Sequence, residues 1–308
     1  MGRTFFYEWE IALMEWLQSF ANPVLVKIAS IITLCGEQMV LVGVFGFFYW
    51  CYDKELAKKT AVGLLAALVW NPGIKNIFLR RRPYFDNPSI ACLKPVNSEG
   101  GIMDITSQGY SFPSGHSTNS VTAFTALGIN IGKKWSMIVG IIIPLFVGIS
   151  RFFLGVHYPT DVFFGWMLGA FIIFLANFLQ EKIENKAILY GLFVLTAIPG
   201  FFFCKSNDYF TGVGLMIGIF GAFLFEERYV NFEGTKNVIR CILRLAGAFI
   251  IYMGLNELLK VPFPDEFLKS ATTGQFLVRT LRYAVVSFTA IGVYPMLFKV
   301  TAKIGRKA

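Results

Sequence analysis

Histidine is scarce in this chain. Its 308 residues include two, His116 and His157, where a chain of this length would ordinarily scatter several more. The five cysteines, Cys35, Cys51, Cys92, Cys204 and Cys241, form no C-x-x-C pair and no metal-ligand spacing, so the sequence makes no case for a zinc module or a dithiol redox centre. A bridge from Cys92 to Cys35 or Cys204 is compatible with a shared membrane face, although lone cysteines in apolar runs usually serve packing. Charge is sparse too, at 15% of residues. The net charge of +9 comes from short basic clusters between apolar runs, which excludes a basic nucleic-acid-binding domain. No internal repeat, low-complexity tract or long linker is present. Residues 1–20 carry Glu8 and Glu10 and no small-residue cleavage site, which argues against a cleavable signal.

What is abundant is apolar sequence, at 55% of residues, in stretches long enough to cross a bilayer. Polar punctuation divides it into spans near 23–51, 56–79, 114–131, 135–153, 160–180, 187–204, 208–226, 238–259 and 280–299. The fold class expected is therefore all-α, a multi-pass transmembrane helical bundle. Gly36-Glu37 lies in the middle of the first span and predicts a tilt or a break there. Residues 1–22, with Phe5, Trp9, Leu13, Trp16, Leu17 and Phe20 at helical spacing, read as an amphipathic helix in the membrane interface.

Span parity puts the end of the second helix, the start of the third, the end of the fourth and the start of the fifth on one membrane face. The loops on the opposite face carry Lys54, Lys58, Lys59, Lys133, Lys134, Lys182, Lys186, Arg228 and Lys236, and the tail carries Lys303, Arg306 and Lys307. The positive-inside tendency makes that face cytoplasmic and turns the motif face outward. The outer loop from Arg80 to Phe112, with three prolines and Gly100-Gly101, has the length of a lid or recognition loop.

On that face stand the groups suited to chemistry. Pro113-Ser114-Gly115-His116 opens a helix, so the Ser114 hydroxyl and the free amides of the first turn can meet an anion, with Gly115 allowing close approach. Taken alone, the tetrapeptide is an ordinary serine cap. His157 precedes Pro159, and Asp161 lies one turn on, where a carboxylate can fix one imidazole tautomer and leave the other nitrogen as a nucleophile. Lys75, Arg82 and Arg151 supply positive charge for phosphoryl oxygens, the two guanidinium forks gripping phosphate best. Any one of the three alone reads as a snorkelling cation. Arg80 and Arg81 are expected at lipid head groups.

The spacings Lys75-x6-Arg82-Pro83, Pro113-Ser114-Gly115-His116 and Ser150-Arg151-x5-His157-x3-Asp161 together resemble the three-part signature of the type 2 phosphatidic acid phosphatase superfamily, the lipid phosphate phosphatases. Gly36-Glu37 and the run Phe48-Tyr49-Trp50-Cys51-Tyr52-Asp53 resemble, more loosely, its sphingosine-1-phosphate phosphatase branch. The resemblance implies a phosphomonoesterase needing no metal or other cofactor. In that scheme His157 attacks phosphorus, Asp161 supports it, and His116 protonates the leaving oxygen and then activates water. Lys75, Arg82, Ser114, Gly115 and Arg151 hold the phosphate.

It further implies a six-helix phosphatase core over residues 23–186, completed by 187–204, with about three additional helices over 205–308, an arrangement similar to the glucose-6-phosphatase branch. Gly212, Gly214, Gly218 and Gly221 give those helices a small-residue face suited to intramolecular packing or, less simply, to a homodimer. Glu257, Arg279 and Arg282 are expected near the motif face, lining the mouth of the site or pairing with each other. The function expected is a lipid phosphate phosphatase of a bacterial-type cytoplasmic membrane, its partners being its lipid substrate and the bilayer. Isoprenoid diphosphate hydrolysis, lipid phosphotransfer, and a non-catalytic lipid-phosphate transporter or scaffold are the alternatives.

Overall fold

The computed structural model describes residues 2–98 and 100–298, so the basic tail at Lys303, Arg306 and Lys307 lies outside the described residues. Among the described residues the regular structure is helical: α1 (Glu8–Gln18), α2 (Pro23–Ile32), α3 (Gln38–Phe47), α4 (Lys54–Phe78), α5 (Gly115–Ser120, running on through a π-helical turn to Ile131), α6 (Lys134–Phe153), α7 (Pro159–Lys182), α8 (Lys186–Leu195), α9 (Asn207–Phe225), α10 (Val238–Leu258) and α11 (Thr273–Phe288). By length and composition six helices can cross a membrane, or up to seven if the pair bent by 118° after Gln18 is one span. The protein is a multi-pass membrane protein. Three of the nine expected spans are shorter or interrupted. The first breaks at Thr33–Gly36, where Gly36 and Glu37 interrupt the apolar run. The stretch opening at Gly115 is a short helix with a π-helical turn inside it, and the one beginning at Lys186 gives way after Leu195 to a 3-10 turn at Pro199–Phe202.

The chain forms two compact units, Met1–Leu41 with Trp70–Ala176, and Val42–Val69 with Asn177–Ala308. The first holds the three motifs. Two of its helices start on side-chain caps: Asn22 accepts from the amides of Val24 and Leu25 with Pro23 at the first helical position, and Ser114 caps α5. Glycines bring its helices together. A Cβ on Gly165 of α7 would lie 2.7 Å from the Ser114 carbonyl oxygen, and one on Gly36 would lie 2.7 Å from the His116 Cβ. The motif helices therefore approach at backbone distance.

In the second unit α9 packs along α11 through the glycine face, where a Cβ on Gly214 would strike the Thr280 carbonyl and one on Gly218 the Ala284 carbonyl. One charge cluster in it is paired: Glu226 receives Lys54 and Lys58, each at 2.9 Å, and Glu227 receives Lys58 at 2.9 Å and Lys186 at 2.8 Å. All five cysteines are free thiols.

Candidate active site

Every residue singled out for the chemistry falls in the first unit. The N-terminus of α7 carries Asp161, wholly inaccessible to solvent. One of its oxygens accepts from the Tyr158 amide at 2.8 Å and stands 3.5 Å from His157 Nδ1. That separation is within ion-pair range and longer than a directed hydrogen bond, so Nδ1 has no hydrogen-bond partner among the described residues. His157 Nε2 lies 3.3 Å from a terminal nitrogen of Arg82. Burial, reinforced by Arg82, Lys75, Arg151 and His116 in that order, holds the His157 pKa well below the usual histidine value. At neutral pH the ring is uncharged and carries a lone pair.

Arg82, 2% exposed, is fixed by backbone carbonyls, donating to Gln108 at 2.9 Å, Gly109 at 3.1 Å and Val156 at 2.7 Å. The Arg80–Phe112 loop thus wraps the guanidinium. Lys75, from the last turn of α4, donates to the Tyr110 carbonyl at 2.9 Å. Arg151, from the last turn of α6, donates to Thr33 at 2.8 Å, and its buried Nε has no partner among the described residues. Ser114 receives the Ser117 hydroxyl at 2.8 Å and donates its amide to the Asp161 carbonyl at 2.9 Å, tying the α5 and α7 starts together. A Cβ on Gly115 would come within 3.3 Å of the Asn71 side chain, whose amide donates to the Pro113 carbonyl at 3.3 Å and to Thr118 at 3.0 Å. His116 Nε2 meets Glu37 at 3.1 Å, with half of the Glu37 side chain exposed.

Three residues of this arrangement escape a reading of the sequence. Arg80 is the correction: expected at lipid head groups, it is buried at 1% exposure. It donates to Asp161 at 2.7 Å, to Glu10 at 2.9 Å, to Thr160 at 2.8 Å and to the Phe5 carbonyl at 2.8 Å, and its guanidinium stacks 4.0 Å from the Tyr158 ring centre. Glu10 is equally buried and completes the network by accepting from the Thr160 amide at 3.1 Å and the Tyr7 amide at 2.9 Å. An arginine with a carboxylate on either side can be buried where an unpaired one could not. Glu37 marked a break in a span, and the break itself brings it to His116. Arg81 also pairs within the protein, with Asp86 at 2.9 Å.

The model of the PAP2 superfamily matches residues 56–184, and that of the PAP2 superfamily phosphatase transmembrane extension matches residues 210–306. Phosphatidylglycerophosphatase B of Bacillus subtilis is 32% identical over 162 residues, which are 48% of this chain and 68% of that protein. The chain belongs to the PAP2 superfamily. An undecaprenyl-diphosphatase of Sulfolobus acidocaldarius is 34% identical over 136 residues, 44% of this chain and 60% of that one. A crystal structure of a transmembrane PAP2 type phosphatidylglycerolphosphate phosphatase from Bacillus subtilis aligns with 58% of this chain and 90% of its own, at 25% identity and a TM-score of 0.45. For this PAP2 protein, the first match covers all three motifs and the second the helices from α9 onward.

Proposed function

We propose that this protein is a lipid phosphate phosphatase that works through a phosphohistidine, without a metal. The observation that carries the reading is the setting of His157: a neutral buried ring with Asp161 toward Nδ1 and Arg82 beside Nε2. A proton on Nδ1, facing the carboxylate, leaves the Nε2 lone pair where Arg82 would guide a phosphate oxygen. Attack forms the P–N bond as the P–O bond to the lipid alcohol breaks, and His116 supplies the proton to the departing oxygen. Water then attacks phosphorus, His116 takes the proton back, and the P–N bond breaks to release phosphate and regenerate neutral His157. Lys75, Arg82 and Arg151, with Ser114 and the first amides of α5 at Gly115, carry the charge on the transferring group. Asp161 holds the imidazolium-like phosphohistidine.

A substrate whose tail stays in the bilayer suits a site made of helix ends. The similarity to a phosphatidylglycerophosphatase favours a glycerolipid phosphomonoester. The similarity to an undecaprenyl-diphosphatase favours a second reading, an isoprenoid diphosphate. The basic loops at Lys54–Lys59, Lys133–Lys134 and Lys182–Lys186 support an outward-facing site and a cytoplasmic C-terminus in a bacterial-type cytoplasmic membrane. The test is free phosphate release by detergent-purified protein in EDTA, from a panel of lipid phosphomonoesters, isoprenoid diphosphates and glucose 6-phosphate, beside His157→Ala. The reading expects release from one lipid class, abolished by the substitution. Release that survives the loss of His157 rejects the mechanism. Transfer of phosphate to a lipid or sugar with none set free makes the protein a transferase.

A further inference from the structure

The second unit has a buried cationic site that the phosphatase chemistry does not use. Three helices turn polar stripes toward one another there. From α11 come Gln275, Arg279 and Arg282, spaced for one face; from α9 come Asn207 and Thr211; from α10 come Tyr252 and Asn256. Gln275 donates to Asn207 at 3.2 Å and Arg279 donates to Thr211 at 2.7 Å. Both guanidinium carbons lie beside the Tyr283 ring, 5.4 Å from its centre for Arg279 and 5.3 Å for Arg282, so both charges border one aromatic side chain. Among the described residues neither arginine forms an ion pair. Asp208 and Glu257 lie within electrostatic range, but both are exposed, and Glu257 is bound to Lys260 at 2.5 Å.

Among the described residues three buried polar atoms on α10 and α11 have no partner: Arg282 Nε, Gln275 Oε1 and Asn256 Oδ1. Arg282 is 6% exposed, Gln275 2% and Asn256 7%. An uncompensated guanidinium costs several kcal/mol inside a protein or a bilayer, and a helix that keeps one there ordinarily keeps it for an anion. Arg151 in the catalytic unit has the same signature, a buried Nε without a partner, in a site arranged for phosphate. The orphan acceptors Gln275 Oε1 and Asn256 Oδ1 call in addition for a ligand with hydroxyl donors. Arg282 stands nine residues into α11, about 14 Å along its axis, and helical side chains lean back toward the N-terminus, where Gln275 and Arg279 stand.

We propose that the helices α9, α10 and α11 hold a phosphate-bearing ligand on Arg279 and Arg282, its hydroxyls on Gln275 and Asn256, and that the occupant is the head group of an anionic, hydroxylated phospholipid. The site is a lipid-binding site separate in its residues from the catalytic ones.

The test uses the full-length protein in detergent, followed by native mass spectrometry and thermal unfolding, with phosphatidylglycerol, phosphatidylcholine or inorganic phosphate added. Phosphatidylglycerol is expected to raise the wild-type Tm and to leave one retained lipid adduct. Arg282→Met should lose both, whereas Arg151→Met should keep them; phosphatidylcholine should do neither. Without lipid, Arg282→Met should unfold at or above the wild-type temperature, since an unpaired buried charge has been removed. Arg282→Lys, which keeps the charge and loses the fork, should bind the lipid about tenfold more weakly. If inorganic phosphate alone gives the same Arg282-dependent shift, the occupant is the free anion and the lipid assignment falls. Equal lipid adducts and equal lipid-dependent shifts in wild type and Arg282→Met would overturn the site altogether, as would an unstable lipid-free Arg282→Met whose response to lipid is unchanged.

Discussion

Arg80 and Arg282 are both buried arginines in a membrane protein, and their surroundings differ completely. Arg80 meets two carboxylates, a hydroxyl and a carbonyl, and its Nε, Nη1 and Nη2 all donate within the protein. Arg282 meets one aromatic ring and leaves a buried Nε without a partner. A guanidinium whose donors are consumed by its own protein is a fixture, and here it locks the N-terminal segment to Asp161, beside His157. One with donors in hand is arranged for something that arrives. Arg151, with a single bond to Thr33 and an unpartnered Nε, falls in the second class and sits in the site itself.

The sharpest way to break the contrast is Arg80→Met. It strands Glu10 and Asp161 as buried charges, and a loss of about 3–5 kcal/mol of stability is expected, with activity lost alongside; unfolding of the purified variant, followed by circular dichroism, measures it. If Arg80 were a head-group contact, as its place in the sequence suggests, the Tm would scarcely move.

Arg82→Gln comes next. It removes a cation from the transferring phosphate, for a fall of about 10²–10³-fold in kcat/KM. It also removes the strongest of the charges that keep His157 unprotonated. The His157 pKa is depressed in the native protein, so the active neutral form persists into acid. Removing Arg82 raises that pKa, and the acidic limb of the kcat/KM profile must move to higher pH. An acidic limb that stays in place would assign it to another group.

Glu10→Gln is milder, because the amide keeps the shape and leaves Arg80 one carboxylate. A fall of about tenfold in kcat with KM nearly constant is expected, as for the loss of one charge-assisted bond behind the nucleophile. A change confined to KM would instead place Glu10 on the substrate path. Smallest of all, Arg282→Met should leave phosphate release within about twofold while abolishing the response to phosphatidylglycerol. A large loss of catalysis would collapse the distinction between the two arginines.

Much of this was legible in the sequence, for reasons that also mark the limit. The eight residues from Lys75 to Asp161 lie at fixed spacings on helix ends, and span parity alone assigns those ends to one face. Gly36-Glu37 in an apolar run predicted a break. What could not be read is what a break or a fold-back does in three dimensions. Glu10 is one of three acidic residues in an amphipathic helix, and nothing local separates it from Glu8 or Glu15, yet Glu10 is the one buried. Arg80 sits in a run of three arginines, and its burial depends on partners 70 and 81 residues away. Pairing across such separations is a property of packing, and a local pattern carries no trace of it.

The measurement that bears most directly on the account is a rapid acid-free quench of the enzyme with a lipid phosphomonoester carrying radiolabelled phosphate. The account predicts label bound to the protein during turnover, stable in base and lost in acid, located on His157, and absent from His157→Ala. Steady phosphate release with no labelled protein at any time, or label that persists in His157→Ala, would contradict it.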